Sequence, residues 1–357
     1  MQKKSNAIVL WRIIATYMVA IAHFDDCYYI FNDLGVRNGV HVVVDFFFIM
    51  SGYLMFANFE KLSTKCKNGF DYFVMRYKKV YPAYLGGFIL CFILYVWAYE
   101  ERPIDVLVTH VFELFCMQGI GLNQGWVYVN NSMWYLSVML IAGFIIFQCL
   151  LKWKDTFVQL IAPIIVMITF SYFFRNVGHM NAVAETDGLF INRALMRALS
   201  GMCLGIFAVQ LNRFLVKEKM DTFLVRLLGT LGFLFVIVGS FKFGRSEMDF
   251  LFVIVLAVTT AIAFLPSENK ILGSRVMRYF SDLTFSIYVV HYGICQYIFG
   301  LAVEIPTEFG EKILYLAVYL IVITIAAVIF DFLVSKVQQL VLAVGKYFMK
   351  YLRRSDC

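Results

Sequence analysis

Ten segments between residues 7 and 334 run on for about eighteen apolar residues or more, each enough for a helix to cross a ~30 Å hydrocarbon layer. In lipid, a backbone amide must find its partner within its own segment, so runs of this kind fold as helices. The segments are 7–24, 40–59, 80–99, 132–151, 156–174, 191–211, 222–241, 247–265, 280–300 and 313–334. With 61% hydrophobic and 15% charged residues over 357 positions, no long polar stretch is left for a soluble domain. The expected fold class is therefore all-α: a polytopic membrane helix bundle of about ten transmembrane helices, one domain over 1–357. The lipid bilayer is its first partner, and no nucleic acid is expected.

Lys3, Lys4, the first apolar run and Ala20-Ile21-Ala22 imitate a signal peptide with its small-residue cleavage site. Arg12 in the middle of that run argues for a retained first helix, with a cleaved signal as the alternative. The cysteines have no framework spacing. Cys91, Cys149, Cys203 and Cys295 fall in apolar runs, whereas Cys27 and Cys116 are placed where they could meet outside.

Basic residues set orientation. With ten spans and both termini cytoplasmic, 22 of the 31 lysines and arginines lie in inside segments. An eleventh stretch, 104–121, is shorter and interrupted by Asp105, His110 and Glu113. Were it to cross, every later loop would change side and the bias would largely vanish. It is expected as a re-entrant or interfacial segment on the outer face.

Four ionisable residues inside the spans then acquire depths. Arg12 and His23 are eleven residues apart, which returns a helix to nearly the same face roughly 16 Å further along. Arg12 lies in the inner half and His23 at the outer end of the first span. Asp45 lies about five residues, ~8 Å, below the outer end of the second, and Arg197 at a comparable depth in the span 191–211. His23, Asp45 and Arg197 can thus share one layer. A carboxylate on one imidazole nitrogen makes the other a better base, so His23 with Asp45 is a candidate catalytic pair and Arg12 its companion. Buried charge is costly enough to demand a partner or a task. In the structural alternative, Asp45 and Arg197 neutralise each other and His23 bonds a carbonyl.

Gly52, and Gly201 with Gly205, read as close helix contacts. Before the third span come Lys61, Lys65, Lys67, Arg76, Lys78 and Lys79, then Tyr81-Pro82-Ala83-Tyr84. Positive loops set orientation, which accounts for Lys61 to Lys67. Arg76 and Lys79 share a helix face at the membrane boundary, where they could grip a cytosolic polyanion.

Five patterns occur in order: Arg12-x10-His23; Asp45-Phe46-Phe47-Phe48-x-x-Ser51-Gly52-Tyr53; Arg76-x-x-Lys79 with Tyr81-Pro82-Ala83-Tyr84; Met133-Trp134-Tyr135-Leu136-Ser137-Val138; and Phe285-Ser286-Ile287-Tyr288-Val289-Val290-His291. Together they resemble the acyltransferase-3 family of integral-membrane acyltransferases. The resemblance implies transfer of an acyl group, most often acetyl, from cytosolic acyl-CoA to a hydroxyl of a surface glycan or lipid-linked sugar. Acetyl-CoA or another acyl-CoA would be substrate, with no bound cofactor and no metal. It implies His23 as the catalytic histidine with Arg12, and Arg76, Lys79 and Tyr81 on the donor side. Arg197 and Trp134 are further candidates for the acceptor site or its charge balance. Lys79 replaces the family's usual second Arg, keeping charge but losing the bidentate fork. Met139 stands where relatives commonly carry Glu. The expected setting is a cell membrane, multi-pass and bacterial. Competing readings are a transporter or flippase, since buried ions also mark substrate paths, and a non-catalytic membrane component of polysaccharide assembly.

Overall fold

The computed structural model describes residues 6–121, 128–181, 186–187, 191–266, 269–301 and 304–355. Fourteen α-helices account for nearly all of them: α1 Asn6–Tyr28, α2 Ile30–Asp33, α3 Val42–Ala57, α4 Phe59–Ser63, α5 Gly69–Tyr99, α6 Pro103–Thr109, α7 Val111–Leu114, α8 Trp134–Thr156, α9 Ala162–Asn176, α10 Arg193–Lys217, α11 Phe223–Phe243, α12 Met248–Ala263, α13 Arg275–Gly293 and α14 Phe309–Ser355. The one β element among the described residues is a two-residue antiparallel pairing of Thr186-Asp187 with Ile191-Asn192.

Each of the ten predicted runs coincides with a helix. Six helical stretches are long and apolar enough to cross a membrane: Ala7–Tyr28, Gly69–Tyr99, Asn131–Asn176, Arg193–Lys217, Phe223–Phe243 and Phe309–Val341. Val42–Ala57 and Met248–Ala263 are apolar but shorter. The stretch Asn131–Asn176 holds two helices, because the backbone leaves helical geometry at Trp153 (φ −140°, ψ 50°). That break lies in Lys152-Trp153-Lys154-Asp155, the polar stretch between two predicted runs. Both α8 and α9 pack on α10.

Helix starts follow local chemistry. Asn68, Asn192, Thr222 and Ser274 each accept a backbone N–H three residues on, capping α5, α10, α11 and α13. α5 begins eleven residues before the predicted run and carries Arg76, Lys78 and Lys79 within its helix. Pro82 does not end it. Outward faces of α11 and α14 expose Leu228, Leu231, Val238, Ile321, Ile325 and Ile329. Such an apolar belt is what lipid requires, and the chain is a multi-pass membrane protein.

Three glycines position the centre of the bundle. A Cβ on Gly52 would lie 2.0 Å from the Met202 carbonyl oxygen, one on Gly205 2.2 Å from that of Ile49, and one on Gly201 2.7 Å from Phe48 Cβ. Backbone contact this close joins α3 to α10 along their length.

The segment 104–121 forms α6, α7 and a 3₁₀ turn at Gln118–Ile120. It starts just beyond Tyr99 and runs down along α5: His110 meets the Tyr95 ring, the Tyr84 hydroxyl donates to the Glu113 carbonyl, and that of Tyr81 to the Leu114 carbonyl at 3.2 Å. From Tyr99 to Tyr84 is fifteen residues, a descent of roughly 22 Å. Neither helix is long enough to cross. Among the described cysteines all are free, and the thiol that Cys27 meets is that of Cys295, not Cys116.

Candidate active site

A cavity of 210 Å³ opens where α1 ends and α3, α8, α10 and α12 begin. Its polar wall comes from His23, Asp26, Asn38, His41, Asn131, Asn181, Arg197 and Arg245; Val19, Ala22, Val40, Val44 and Trp134 supply the apolar part. Of the predicted site residues, His23, Arg197 and Trp134 meet here.

His23 is partly exposed, and its Nδ1 lies 3.3 Å from Oδ2 of Asp26, one turn along the same helix. The Asn38 amide donates to the Ala22 carbonyl at 3.1 Å and to Asp26 Oδ1 at 3.4 Å, tying the loop after α2 to this turn. A proton on Nδ1 facing Asp26 leaves the Nε2 lone pair free, the arrangement of a prepared base. Behind His23 stands His291, with ring centroids 5.3 Å apart, and Tyr292 meets His23 edge-on at 5.4 Å. His291 Nδ1 lies 2.7 Å from the Tyr288 carbonyl and must donate to it. Its buried Nε2 therefore holds a lone pair without a protein partner.

Asp45 is not brought to His23. Arg197 takes both its oxygens, Nε to Oδ1 at 2.9 Å and Nη2 to Oδ2 at 2.8 Å, and Nη2 also donates to the His41 carbonyl at 2.6 Å. The Arg197 guanidinium lies 5.8 Å from the Trp134 ring. With both carboxylate oxygens engaged by a planar fork, Asp45 orders Arg197 and not an imidazole. The acid beside His23 is Asp26, which the depth argument passed over because it lies beyond the end of the apolar run.

Arg12 and His23 both turn towards α13, as their spacing predicts. Arg12 Nη2 donates to Thr284 Oγ1 at 3.0 Å, and Asp282 acts on it electrostatically. Arg12 Nε, however, is buried without a partner, and Arg12 is not in the cavity wall. Arg12 therefore does not share the cavity that His23 lines.

At the other end of the bundle, Lys78 and Lys79 are exposed and Arg76 is partly buried within electrostatic reach of Tyr72 and Tyr135. Phe73, Tyr77, Tyr81 and Tyr84 stack in sequence along α5, with centroids 5.7, 4.7 and 6.1 Å apart. Met139 accepts from Ser51 Oγ at 3.5 Å, and that hydroxyl also meets Tyr135 at 3.2 Å. The thioether thus fills a polar corner between α3 and α8.

Sequence reasoning missed Asp26, His41, Asp249 and the role of His291. His41 and Asp249 lie at the predicted outer ends of two runs, so the depth argument applied to Asp45 would also have paired them. His291 closes a quoted motif but was given no task.

A helical membrane bundle with an imidazole–carboxylate pair on the wall of a polar cavity has the parts that proton transfer to or from a hydroxyl requires. A family model described as an acyltransferase domain, acyltransferase-3, matches residues 5–332, nearly the whole chain. The chain belongs to that family and is a membrane acyltransferase. No curated protein and no solved structure matches it.

Proposed function

We propose that the protein takes an acyl group, acetyl in the simplest case, from cytosolic acyl-CoA and places it on a hydroxyl of an extracytoplasmic glycan or lipid-linked sugar. The observation that carries this reading is His23 on the cavity wall with Nδ1 on Asp26. In the proposed step His23 Nε2 takes the alcohol proton as the oxygen attacks the thioester carbonyl. The C–S bond breaks, and the departing thiolate receives that proton.

Orientation supports the same scheme. Ten spans with both termini cytoplasmic put the cavity on the outside and the Arg76–Lys79 end of α5 on the inside. The segment 104–121 is then re-entrant from the outer face, and the proposed setting is a bacterial cell membrane. Arg76, Lys79 and Tyr81 would meet the donor, with Arg12 balancing charge along its path. Arg197 and Trp134 would face the acceptor, while Asp45 would keep Arg197 in place.

Protein in lipid nanodiscs, given labelled acetyl-CoA and glycan-bearing membranes of the producing cell, is expected to move label onto sugar. Mass spectrometry of surface glycans with and without the gene then names donor and acceptor together. Wild-type protein that leaves every glycan unlabelled and unchanged in mass would overturn the reading.

A further inference from the structure

Besides His23 the cavity carries a second imidazole whose surroundings are built more elaborately than a helix start requires. His41 Nε2 lies 2.7 Å from Oδ2 of Asp249, a fully buried carboxylate on α12. The same oxygen accepts the Met180 amide at 3.1 Å. The backbone of His41 is held as well, since its carbonyl accepts from Arg197, which Asp45 clamps in turn. Three buried charged groups from α3, α10 and α12 thus converge on one histidine.

An ionised carboxylate accepts only, so the proton between the pair sits on His41 Nε2 and leaves a lone pair on Nδ1. That Nδ1 is buried and has no hydrogen-bond partner, and neither has Oδ1 of Asn131. Both residues line the cavity. Buried acceptors are almost always satisfied, so two orphans on residues that line one cavity call for a ligand that supplies donors as it settles between them. Hydroxyl groups do so, and the Asn38 and Asn181 side chains line the same cavity.

We propose that His41, set by Asp249, determines acceptor specificity: its Nδ1 receives a hydrogen bond from a second hydroxyl of the acyl acceptor, so the cavity admits a polyhydroxylated molecule and presents one of its alcohols to His23. The proposal rests on the acyltransferase reading and assigns it a residue outside the patterns that carried the resemblance. A plain tie between α3 and α12 would need only the Nε2–H to Asp249 contact.

His41→Gln separates the two. A glutamine amide can still donate to Asp249 but offers no acceptor where Nδ1 was. Transfer from labelled acetyl-CoA is followed at increasing amounts of glycan-bearing membranes, beside thermal unfolding. The expected result is at least a tenfold rise in the acceptor KM, with the donor KM and the unfolding temperature unchanged. Transfer equal to wild type would overturn the proposal. Should the variant unfold early, ¹⁵N NMR of histidine-labelled wild type decides: the His41 signal must report protonated Nε2 and bare Nδ1 at neutral pH, and the opposite tautomer or an imidazolium sinks the assignment. Wild-type protein that transfers no label removes the acyltransferase reading instead, and the tautomer then judges His41 independently.

Discussion

Arg197 closes a two-point clamp on Asp45, Nε on Oδ1 at 2.9 Å and Nη2 on Oδ2 at 2.8 Å, where neither side chain meets solvent. Burying such a pair gains little over an apolar pair, whereas removing one partner strands the other at a cost of about 3–5 kcal/mol. Arg197→Met is therefore expected to lower the unfolding temperature sharply. The double variant with Asp45→Leu should recover most of the loss without restoring transfer, because Arg197 also fixes the His41 carbonyl. Thermal unfolding in detergent beside an acyl-transfer assay checks both halves.

His23→Ala should abolish transfer and leave unfolding little changed, since the ring is partly exposed and its packing is confined to His291 and Tyr292. General-base catalysis contributes about 10²–10⁴ in rate, which sets the size of the loss. Asp26→Asn keeps the shape but accepts less strongly at His23 Nδ1. It should reduce kcat by less than the His23 variant, with acyl-CoA affinity intact. An unaltered kcat in Asp26→Asn would remove that carboxylate from the mechanism.

Lys79→Arg supplies a bidentate fork in place of a point charge, and the donor KM should fall. Arg76→Ala should raise the donor KM by about tenfold, the worth of one charge-assisted hydrogen bond of about 1.5–3 kcal/mol at the low end of its range. Both changes should shrink at high salt where the groups are exposed, an effect expected more for Lys79 than for Arg76. Steady-state kinetics at two ionic strengths tests the pair.

Much of the helical layout was legible because apolar run length is a local property. All ten runs coincide with helices, and the glycine contacts at Gly52, Gly201 and Gly205 followed from small residues amid bulky ones. The start of α5 was legible only in part: Arg76 and Lys79 read as one helix face, whereas the turns from Gly69 onward, capped by Asn68 and packed on α8, fall outside the apolar run. For the site, eleven-residue spacing placed Arg12 and His23 on the α13 side of α1. What spacing could not give was partner choice: depth offered Asp45 to His23, but Arg197 claims Asp45, and the acid beside His23 is Asp26 just past the apolar run. The His41–Asp249 pair joins segments some two hundred residues apart, and only their shared depth at the outer ends of two runs links them in the sequence.

Gly52→Ala tests the joint on which the cavity rests. The added Cβ would lie 2.0 Å from the Met202 carbonyl oxygen, a backbone atom that can yield only if α3 and α10 separate. Overpacking of this kind costs about 1–3 kcal/mol and occasionally more. The separation would also pull Asp45 from Arg197, so activity should fall further than stability alone accounts for. Thermal unfolding and transfer measured on one preparation would show the disproportion.

Glu113 makes a prediction about the segment 104–121. Its carboxylate takes His110 Nδ1 at 2.7 Å, the Val129 amide at 3.1 Å and the Asn130 amide at 3.3 Å, all out of contact with solvent. Those bonds hold the chain just before Asn131 and Trp134, two residues of the cavity wall. Glu113→Ala leaves two backbone amides and an imidazole without their acceptor, at a cost of about 1–3 kcal/mol for each buried group. Because the damage falls on the loop and not on the helices beside it, helix content by circular dichroism should survive while acceptor KM rises. A variant with normal acceptor KM would mean that the wall at Asn131 and Trp134 is held by α8 alone.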